Sequence, residues 1–418
     1  MDRNLLKRII FDQHQVIKDA IIIDRDIELE KNVNYVLVGL RRAGKTTMLY
    51  KRVKDLIEDG VEWNQIIYIN FDDERLIDFK LNDFDDILLT AEELSPKKHY
   101  FYFDEIQNID NWEKFAIRIA NQGYKVDITG SNAKMMSKEV AAKLGGRYIS
   151  KEILPFSFKE YLRAYDVNLP SYSTKDSAYI NNLLNQYFIY GGFPASIDFK
   201  NKREYVSSVF QKVLYGDIIA HNEIRNENGM KLLLKKISES IMHDISYTKL
   251  QASITGIGYK ISKDIVIDYC EYIKDSFLLF TIENYYSSFV DKKSNPKYYY
   301  RDNGILSLFI DDKRTALLEN IVAVELYRKG FEFYYLKGDK ADIDFYIPNK
   351  KILIQVAYSI KEKETYDREI NGIIEFSKNN KEKHDLYLIT YDEKQVIEKD
   401  GITINVIPLK DFLLNDII

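Results

Sequence analysis

The stretch Gly39-Leu40-Arg41-Arg42-Ala43-Gly44-Lys45-Thr46 constrains this chain more than any other segment of comparable length. It follows an apolar run, Tyr35–Val38. It precedes a helix signal in which Leu49, Val53, Leu56 and Ile57 share one face and Gly60 offers a stop. Strand, glycine-rich turn and helix are the context in which this pattern cradles phosphates. Gly39 and Gly44 let backbone N–H groups face an anion, and the helix presents its positive end to it. Arg41, Arg42 and Ala43 line the turn, and Thr47 continues into the helix. Lys45 is placed to reach the β- and γ-phosphates, and Thr46 to give its hydroxyl to Mg²⁺.

A nucleotide site of this kind needs a carboxylate on a neighbouring strand. Tyr100-Phe101-Tyr102-Phe103 reads as a buried strand ending in Asp104-Glu105. Asp104 at that strand end suits the Mg²⁺ shell, and Glu105 suits the base that orients and deprotonates an attacking water. Further apolar runs at Ile66–Phe71, Val126–Thr129 and Ile149–Leu154 alternate with helical stretches, which predicts a parallel α/β sheet. One helix is expected after the third run. Asp110 with Glu113 reads as its capping box, Trp112, Phe115, Ala116 and Ile119 form its face, and Gly123 ends it. The fourth run ends in Thr129-Gly130-Ser131-Asn132. Ser131 there either helps place the water beside the γ-phosphate or belongs to an ordinary polar turn. Arg147 in Gly145-Gly146-Arg147 is either a finger stabilising transition-state charge, in its own subunit or a neighbour's, or a surface arginine. No Asn-Lys-x-Asp follows an apolar strand, and Asp104 lacks the x-x-Gly that guanine-nucleotide sites place after it, so the expected nucleotide is ATP.

Beyond Pro155 the texture changes. Helical spacing dominates to about Glu239, broken by Gly191-Gly192-Phe193-Pro194. From Ser240 to Tyr300 two or three short helices precede a hairpin whose runs are Phe277–Ile282 and Lys297–Tyr300. Ser262 is expected to cap a helix with Ile265, Val266, Tyr269, Tyr272 and Ile273 inward. Helix, helix, hairpin outlines a winged helix-turn-helix. Its candidate recognition helix exposes Asp264, Asp268, Glu271 and Asp275 against Lys263 and Lys274, a poor match to phosphates. The hairpin loop, with Lys292, Lys293 and Lys297, suits them better. A protein or interdomain clamp and a DNA-binding module both remain open. A helix over 315–329 then leads to strand signals at Phe331–Leu336, Asp342–Ile347 and Ile352–Tyr358, a helix over 364–377 and a strand at Leu386–Thr390.

Together these residues resemble the prokaryotic AAA-type ATPases that pair an N-terminal P-loop domain with a C-terminal domain of unknown function. The likeness runs over nearly the whole chain. It rests on Gly39–Thr47, Phe71-Asp72-Asp73-Glu74-Arg75-Leu76, Tyr100–Gln107, Ile128–Asn132, Gly146-Arg147 leading to Leu154–Phe158, Gly191–Pro194 and Lys297–Gly304. The resemblance implies an AAA-type P-loop domain over 1–165, a helical lid or linker over 166–239, a winged-helix domain over 240–300 and a restriction-endonuclease-like α/β domain over 301–418. Active domains of that last kind carry a helix glutamate, a strand aspartate and Glu-x-Lys on the next strand, where carboxylates hold Mg²⁺ and the lysine activates water. Glu319 and Asp344 fit the first two positions. Gln355 stands for the acid and Ala357 for the lysine. Glutamine is a poor ligand for a hard cation and alanine has no amine, so the expectation is the fold without cleavage. The residual alternative is a migrated lysine such as Lys361 or Lys363.

Composition bounds the remaining classes. With 418 residues the chain is long enough for several domains, and a net charge of −5 supplies no global field to recruit nucleic acid. Cys270 is the single cysteine, which excludes an internal disulfide and fits a reducing cytoplasm. His14, His99, His221, His243 and His384 show no ligand spacing, so zinc is not expected. Asp217 and Arg225 read as a lid-helix pair or a solvated one. No apolar run approaches a membrane-spanning length, and no signal-peptide core is seen at Leu5–Ile10, which Lys7 and Arg8 interrupt. The leading expectation is an ATP-hydrolysing switch coupled to the later domains, with an oligomer compatible with it. Its rivals are a DNA-binding regulator that ATP merely stabilises and, disfavoured by Gln355 and Ala357, an active nuclease.

Overall fold

The structure is a computed structural model. It describes the whole chain except residues 132–134, 136, 137, 168, 171, 172, 289–291, 293, 312, 313, 338–341 and 380–382, and the side chains of 138, 139 and 141. Asn132 and Lys293, singled out above, lie outside the described residues. The chain divides into two compact units, Met1–Leu154 with Asp275–Phe277, and Pro155–Lys274 with Leu278–Ile418. This division is coarser than the four segments read from the sequence.

The first unit is built on five parallel strands: β1 (Tyr35–Val38), β2 (Ile66–Asn70), β3 (Tyr100–Asp104), β4 (Lys125–Gly130) and β5 (Ile149–Glu152), in the order β2-β3-β4-β1-β5. β4 therefore lies between the strand feeding the phosphate loop and the strand carrying Asp104. Strands with helices on both sides must be apolar on both faces, and Tyr35–Val38, Ile66–Ile69 and Phe101–Phe103 are all buried. Among the described residues, the α-helices that connect and cover them are α1 (Arg3–Asp19), α2 (Lys45–Glu58), α3 (Phe84–Leu94), α4 (Trp112–Asn121) and α5 (Lys138–Leu144). α1 was not anticipated. Asp2 caps it, and Leu6, Ile9, Ile10 and Ile17 bury its apolar stripe. The apolar face expected for α4 is buried, but its capping box does not form. Asn111, in the left-handed region at φ 59°, is the N-cap, and Glu113 instead accepts from Lys143 Nζ at 2.9 Å.

The second unit begins with helices Phe158–Ala164, Thr174–Tyr190 and Lys202–Lys212, the π-helix Val213–Ala220 and helix Glu227–Glu239. Helices Tyr247–Gly256 and Lys263–Asp275 follow, then an antiparallel hairpin of β6 (Leu279–Ile282) and β7 (Lys297–Tyr300). Ser262 caps the second of these helices as expected, through Ile265 N at 3.2 Å. Val266, Tyr269 and Ile273 face inward, but Ile265 is exposed because it falls on the acidic side. The hairpin is fastened rather than free. Tyr335 receives Tyr285 N at 3.0 Å on its carbonyl, donates its own N–H to Glu283 O at 3.1 Å, and donates its hydroxyl to Asn295 O at 2.7 Å.

Helix Arg314–Arg328 leads into a six-stranded mixed sheet of β8 (Tyr334–Lys337), β9 (Asp342–Ile347), β10 (Ile352–Val356), β11 (Asp385–Thr390), β12 (Gln395–Lys399) and β13 (Ile402–Pro408). The order is β12-β13-β11-β10-β9-β8. The β8-β9-β10 meander is antiparallel, and β10, β11 and β13 run parallel. Helix Lys363–Asn379 crosses between β10 and β11 and contributes Ile370, Ile373 and Ile374 to the core. β12, β13 and the closing helix Leu409–Leu414 were not anticipated.

Candidate functional site: a phosphate loop facing two strand-end carboxylates

The loop owes its shape to its glycines. Gly39 has φ 139°, and a Cβ there would meet Ile153 O at 2.3 Å; Gly44 turns into α2 at φ 103°. No other residue fits both positions without strain. Arg42 also takes a left-handed conformation, φ 66°. Lys45 is buried and donates to Gly39 O at 3.0 Å and Leu40 O at 3.3 Å, which folds its ammonium back over the loop. Arg25, from the segment before β1, donates to Ala43 O at 3.2 Å and to Leu154 O at 2.6 Å. It clamps the turn from outside. Arg41 lies 3.8 Å from Asp72 in the Phe71–Leu76 motif after β2.

Asp104 closes β3, and parallel pairing of β1, β4 and β3 brings its carboxylate beside Thr46. Thr46 Oγ1 donates to Asp104 Oδ2 at 2.8 Å, Tyr68 OH to the same oxygen at 3.0 Å, and Thr129 Oγ1 to Oδ1. Burial, then repulsion from Glu105, raises the Asp104 pKa; its hydroxyl partners hold it back. Glu105 sits at φ 52°, a left-handed conformation uncommon outside glycine and asparagine. Its N–H donates to Thr129 Oγ1 at 3.0 Å. Ser131 Oγ donates to Glu105 Oε2 at 3.2 Å, and Gln107 Nε2 donates to the same oxygen. Ser131 is thus brought to Glu105 across the β3–β4 pair.

Arg147 is not brought there. It is exposed, bonds Asn121 Oδ1 and Leu144 O, and precedes β5. Asn121 ends α4 just before β4, so Arg147 lies at the amino edge of the sheet, while the loop and Asp104 lie at the carboxyl edge. A strand of β1's length separates these edges by about 13 Å of backbone alone. The alternative of a finger acting on its own chain's loop loses its geometric basis.

Sequence reasoning missed Tyr68, Thr129, Gln107 and Arg25. Tyr68 lies in a run read only as a buried strand, and Thr129 opens the Thr129–Asn132 stretch in which only Ser131 was given a role. Gln107 is two residues past Glu105, in a short helical turn, and closes the Tyr100–Gln107 stretch that was quoted only as a family trait. Arg25 lies in a polar segment with no periodicity.

The second carboxylate group differs from expectation. Glu319 and Asp344 do converge, but the cation between them is Lys297 of β7, with Nζ 3.3 Å from Glu319 Oε1 and 3.2 Å from Asp344 Oδ1. Tyr299 OH donates to Glu319 Oε1 at 2.6 Å. Gln355 Oε1 accepts from Asp344 N at 3.2 Å and its Nε2 donates to Glu369 Oε2 at 2.9 Å, so its amide is spent on positioning. Ala357 lies in the apolar core. Lys361 lies 3.9 Å from Asp392 on an exposed surface, so the lysine at the carboxylates is neither Lys361 nor Lys363. The rest of the Lys297–Gly304 motif also works locally: Asp302 accepts from Gly192 N and Gly304 N, each at 2.8 Å, and Asn320 bridges Tyr300 and Asn303.

Among the described residues no helix is long and apolar enough to cross a membrane.

Residues 31–162 match an AAA domain, and residues 181–315 match a domain of unknown function, DUF8612. The uncharacterized protein MJ1544 of Methanocaldococcus jannaschii is 34% identical over 97% of this chain and 94% of its own length. An uncharacterized protein of Haemophilus influenzae is 30% identical over 91% of this chain and 94% of its own. Among solved structures, the Walker-type ATPase PABY2304 of Pyrococcus abyssi aligns over 69% of this chain and 96% of its own at 17% identity, with a TM-score of 0.42, too loose a likeness to bear on function. The chain carries an AAA-type P-loop domain and belongs to the protein family that includes MJ1544 of Methanocaldococcus jannaschii.

Proposed function

We propose that this protein binds and hydrolyses ATP and uses the cycle as a switch. The observation that carries the reading is the Thr46–Asp104 hydrogen bond, 2.8 Å, at the carboxyl edge of a parallel sheet, with Glu105 next in sequence and the Gly39–Thr46 loop alongside. A hydroxyl and a buried carboxylate in contact are hard oxygen donors suited to Mg²⁺, which takes few protein ligands and completes its shell with phosphate and water. Mg²⁺, when bound, supplies neutralising charge to the phosphates.

The chain's own residues do the rest. The loop N–H groups and Lys45 bind the phosphates, which draws the Lys45 ammonium off the carbonyls of Gly39 and Leu40. Glu105 orients the attacking water and takes its proton. Ser131 and Gln107 hold the Glu105 carboxylate on one oxygen. Arg147, at the far edge, is left to a neighbouring subunit's site or to the surface. The second unit, with its helix-helix-hairpin and its β8-β9-β10 meander flanked by helices, supports the reading of a winged-helix segment and a nuclease-like fold without cleavage. The exposed acids Asp264, Asp268 and Glu271 and the fastened hairpin favour a partner or clamp role for that segment over DNA. A DNA duplex titrated by anisotropy at low salt should show no binding; binding with a steep salt slope returns the DNA-regulator reading.

The deciding experiment compares two variants. Lys45→Ala should abolish ATP binding, and Glu105→Gln should keep binding and lose turnover. Normal turnover in Glu105→Gln removes the base assignment.

A further inference from the structure

The Lys297 cluster is built from three distant parts of the second unit: a hairpin strand, helix Arg314–Arg328 and strand β9. Lys297, Glu319 and Asp344 are 5%, 0% and 9% exposed. Two carboxylates this deep cannot both stay ionised without a cation between them. Nζ stands almost equidistant from one oxygen of each, 3.3 and 3.2 Å. That is how a bridging metal ion is held, at the longer spacing an ammonium requires. The second Glu319 oxygen, Oε2, is buried and accepts no hydrogen bond. Lys297 therefore leaves acceptor capacity unused at the centre of the cluster, which a cation with more coordination positions would take up.

We propose that Lys297 is a resident cation filling a divalent-metal position between Glu319 and Asp344, so that the protein closes this site with its own ammonium. The site is a vacated oxygen-donor centre for a hard divalent cation, opened by removing one amine. The arrangement separates this role from that of a lysine kept for cleavage. A cleaving lysine leaves the carboxylates to a metal and faces a phosphodiester. Lys297 takes both carboxylates itself and is buried, with its ammonium over the Tyr335 ring. Burial pulls the Lys297 pKa down, and the two carboxylates more than reverse this, so the ammonium stays charged.

The test uses the full chain carrying Asp104→Asn, so that the ATP site adds no metal signal, and Mn²⁺ as the probe. In that background Lys297→Ala should bind Mn²⁺ by calorimetry at least about tenfold more tightly than the parent. Its melting temperature should rise with Mn²⁺, and both effects should vanish on adding Asp344→Asn. Lys297→Arg should fold and ignore Mn²⁺. Should Lys297→Ala fold only with Mn²⁺, the proposal stands. A folded Lys297→Ala blind to Mn²⁺ overturns it. So does a Lys297→Ala that fails to fold with or without Mn²⁺, whether or not the neutral triple Lys297→Met, Glu319→Gln, Asp344→Asn folds. Plasmid nicking by the wild-type chain with Mn²⁺, lost in Lys297→Met, overturns it in favour of a nuclease.

Discussion

Two carboxylate pairs, one in each unit, meet opposite fates. Asp104 and Glu105 are neighbours on one strand end, and Asp104 is surrounded by the hydroxyls of Thr46, Tyr68 and Thr129. Hydroxyls orient a carboxylate without cancelling its charge. Glu319 and Asp344 come from different elements and share the ammonium of Lys297. On the proposed reading the first pair imports positive charge, whereas the second has it built in. Burial alone does not distinguish them, since Asp104 is as deeply buried as Glu319. What distinguishes a site that works through an added ion from one that is structurally closed is whether the chain supplies the counter-charge.

The largest test of that contrast is catalytic. On the proposed reading Glu105→Gln removes the acceptor of the water's proton and should lower turnover about 10²- to 10⁴-fold with nucleotide binding retained. Glu319→Gln, at a still more deeply buried acid on the closed side, should leave steady-state ATP turnover unchanged. A loss of turnover in Glu319→Gln breaks the division of labour between the pairs.

Next comes stability. Lys297→Met leaves two buried carboxylates uncompensated and should cost about 3–5 kcal/mol in denaturant unfolding. Adding Glu319→Gln and Asp344→Asn should recover most of it, because removing both signs together discards the desolvation cost with the attraction. Asp104→Asn should do the reverse of Lys297→Met. A buried acid whose folded pKa is raised stabilises the fold below its unfolded pKa and loses that stabilisation as pH rises through the folded pKa. At neutral pH the nucleotide-free Asp104→Asn protein should therefore be more stable than wild type, by about 1 kcal/mol. The gain should shrink as pH falls toward the ordinary aspartate value of 3.8. An Asp104→Asn protein that melts lower than wild type at pH 7 would show that the first pair already has its counter-charge.

The same contrast explains what could be read in the sequence. The phosphate loop is legible because its chemistry is local: glycines, lysine and threonine act within eight residues. Asp104-Glu105 is legible because a strand end is a local signal. Lys297 was not, because its partners lie 22 and 47 positions away and no periodicity links them. The string Lys297–Gly304 was quoted as a family trait, and only the fold shows that it joins the hairpin to Glu319, Asp344, Gly192 and Asn320. Other misses had signals. Leu6, Ile9, Ile10 and Ile17 form a helical stripe behind the cap Asp2, overlooked while the segment was weighed as a leader. Asp400-Gly401, at φ 56° and 77°, is a hairpin turn between β12 and β13 that the sequence states outright. Asp110 failed as a cap because the left-handed Asn111 moved the helix start by one residue.

The smallest expected effect concerns how far the import of charge extends. Arg147 lies at the amino edge of the sheet and bonds Asn121 and Leu144 O, so its own loop gains nothing from it. If positive charge for the transition state comes from outside the chain, a neighbour's Arg147 is the candidate in view. Turnover per chain should then rise with protein concentration in wild type. Arg147→Ala should match wild type in dilute solution and fail to rise. Mixing Arg147→Ala with Glu105→Gln sharpens the point. The first keeps a working base and lacks the finger, and the second lacks the base and keeps the finger. Mixed assemblies should regain turnover that neither variant shows alone, because an intact Glu105 then faces an intact Arg147. Absence of complementation, together with turnover independent of concentration, would make Arg147 a surface residue holding Asn121 and would leave the added metal ion and Lys45 as the counter-charge that the first pair awaits.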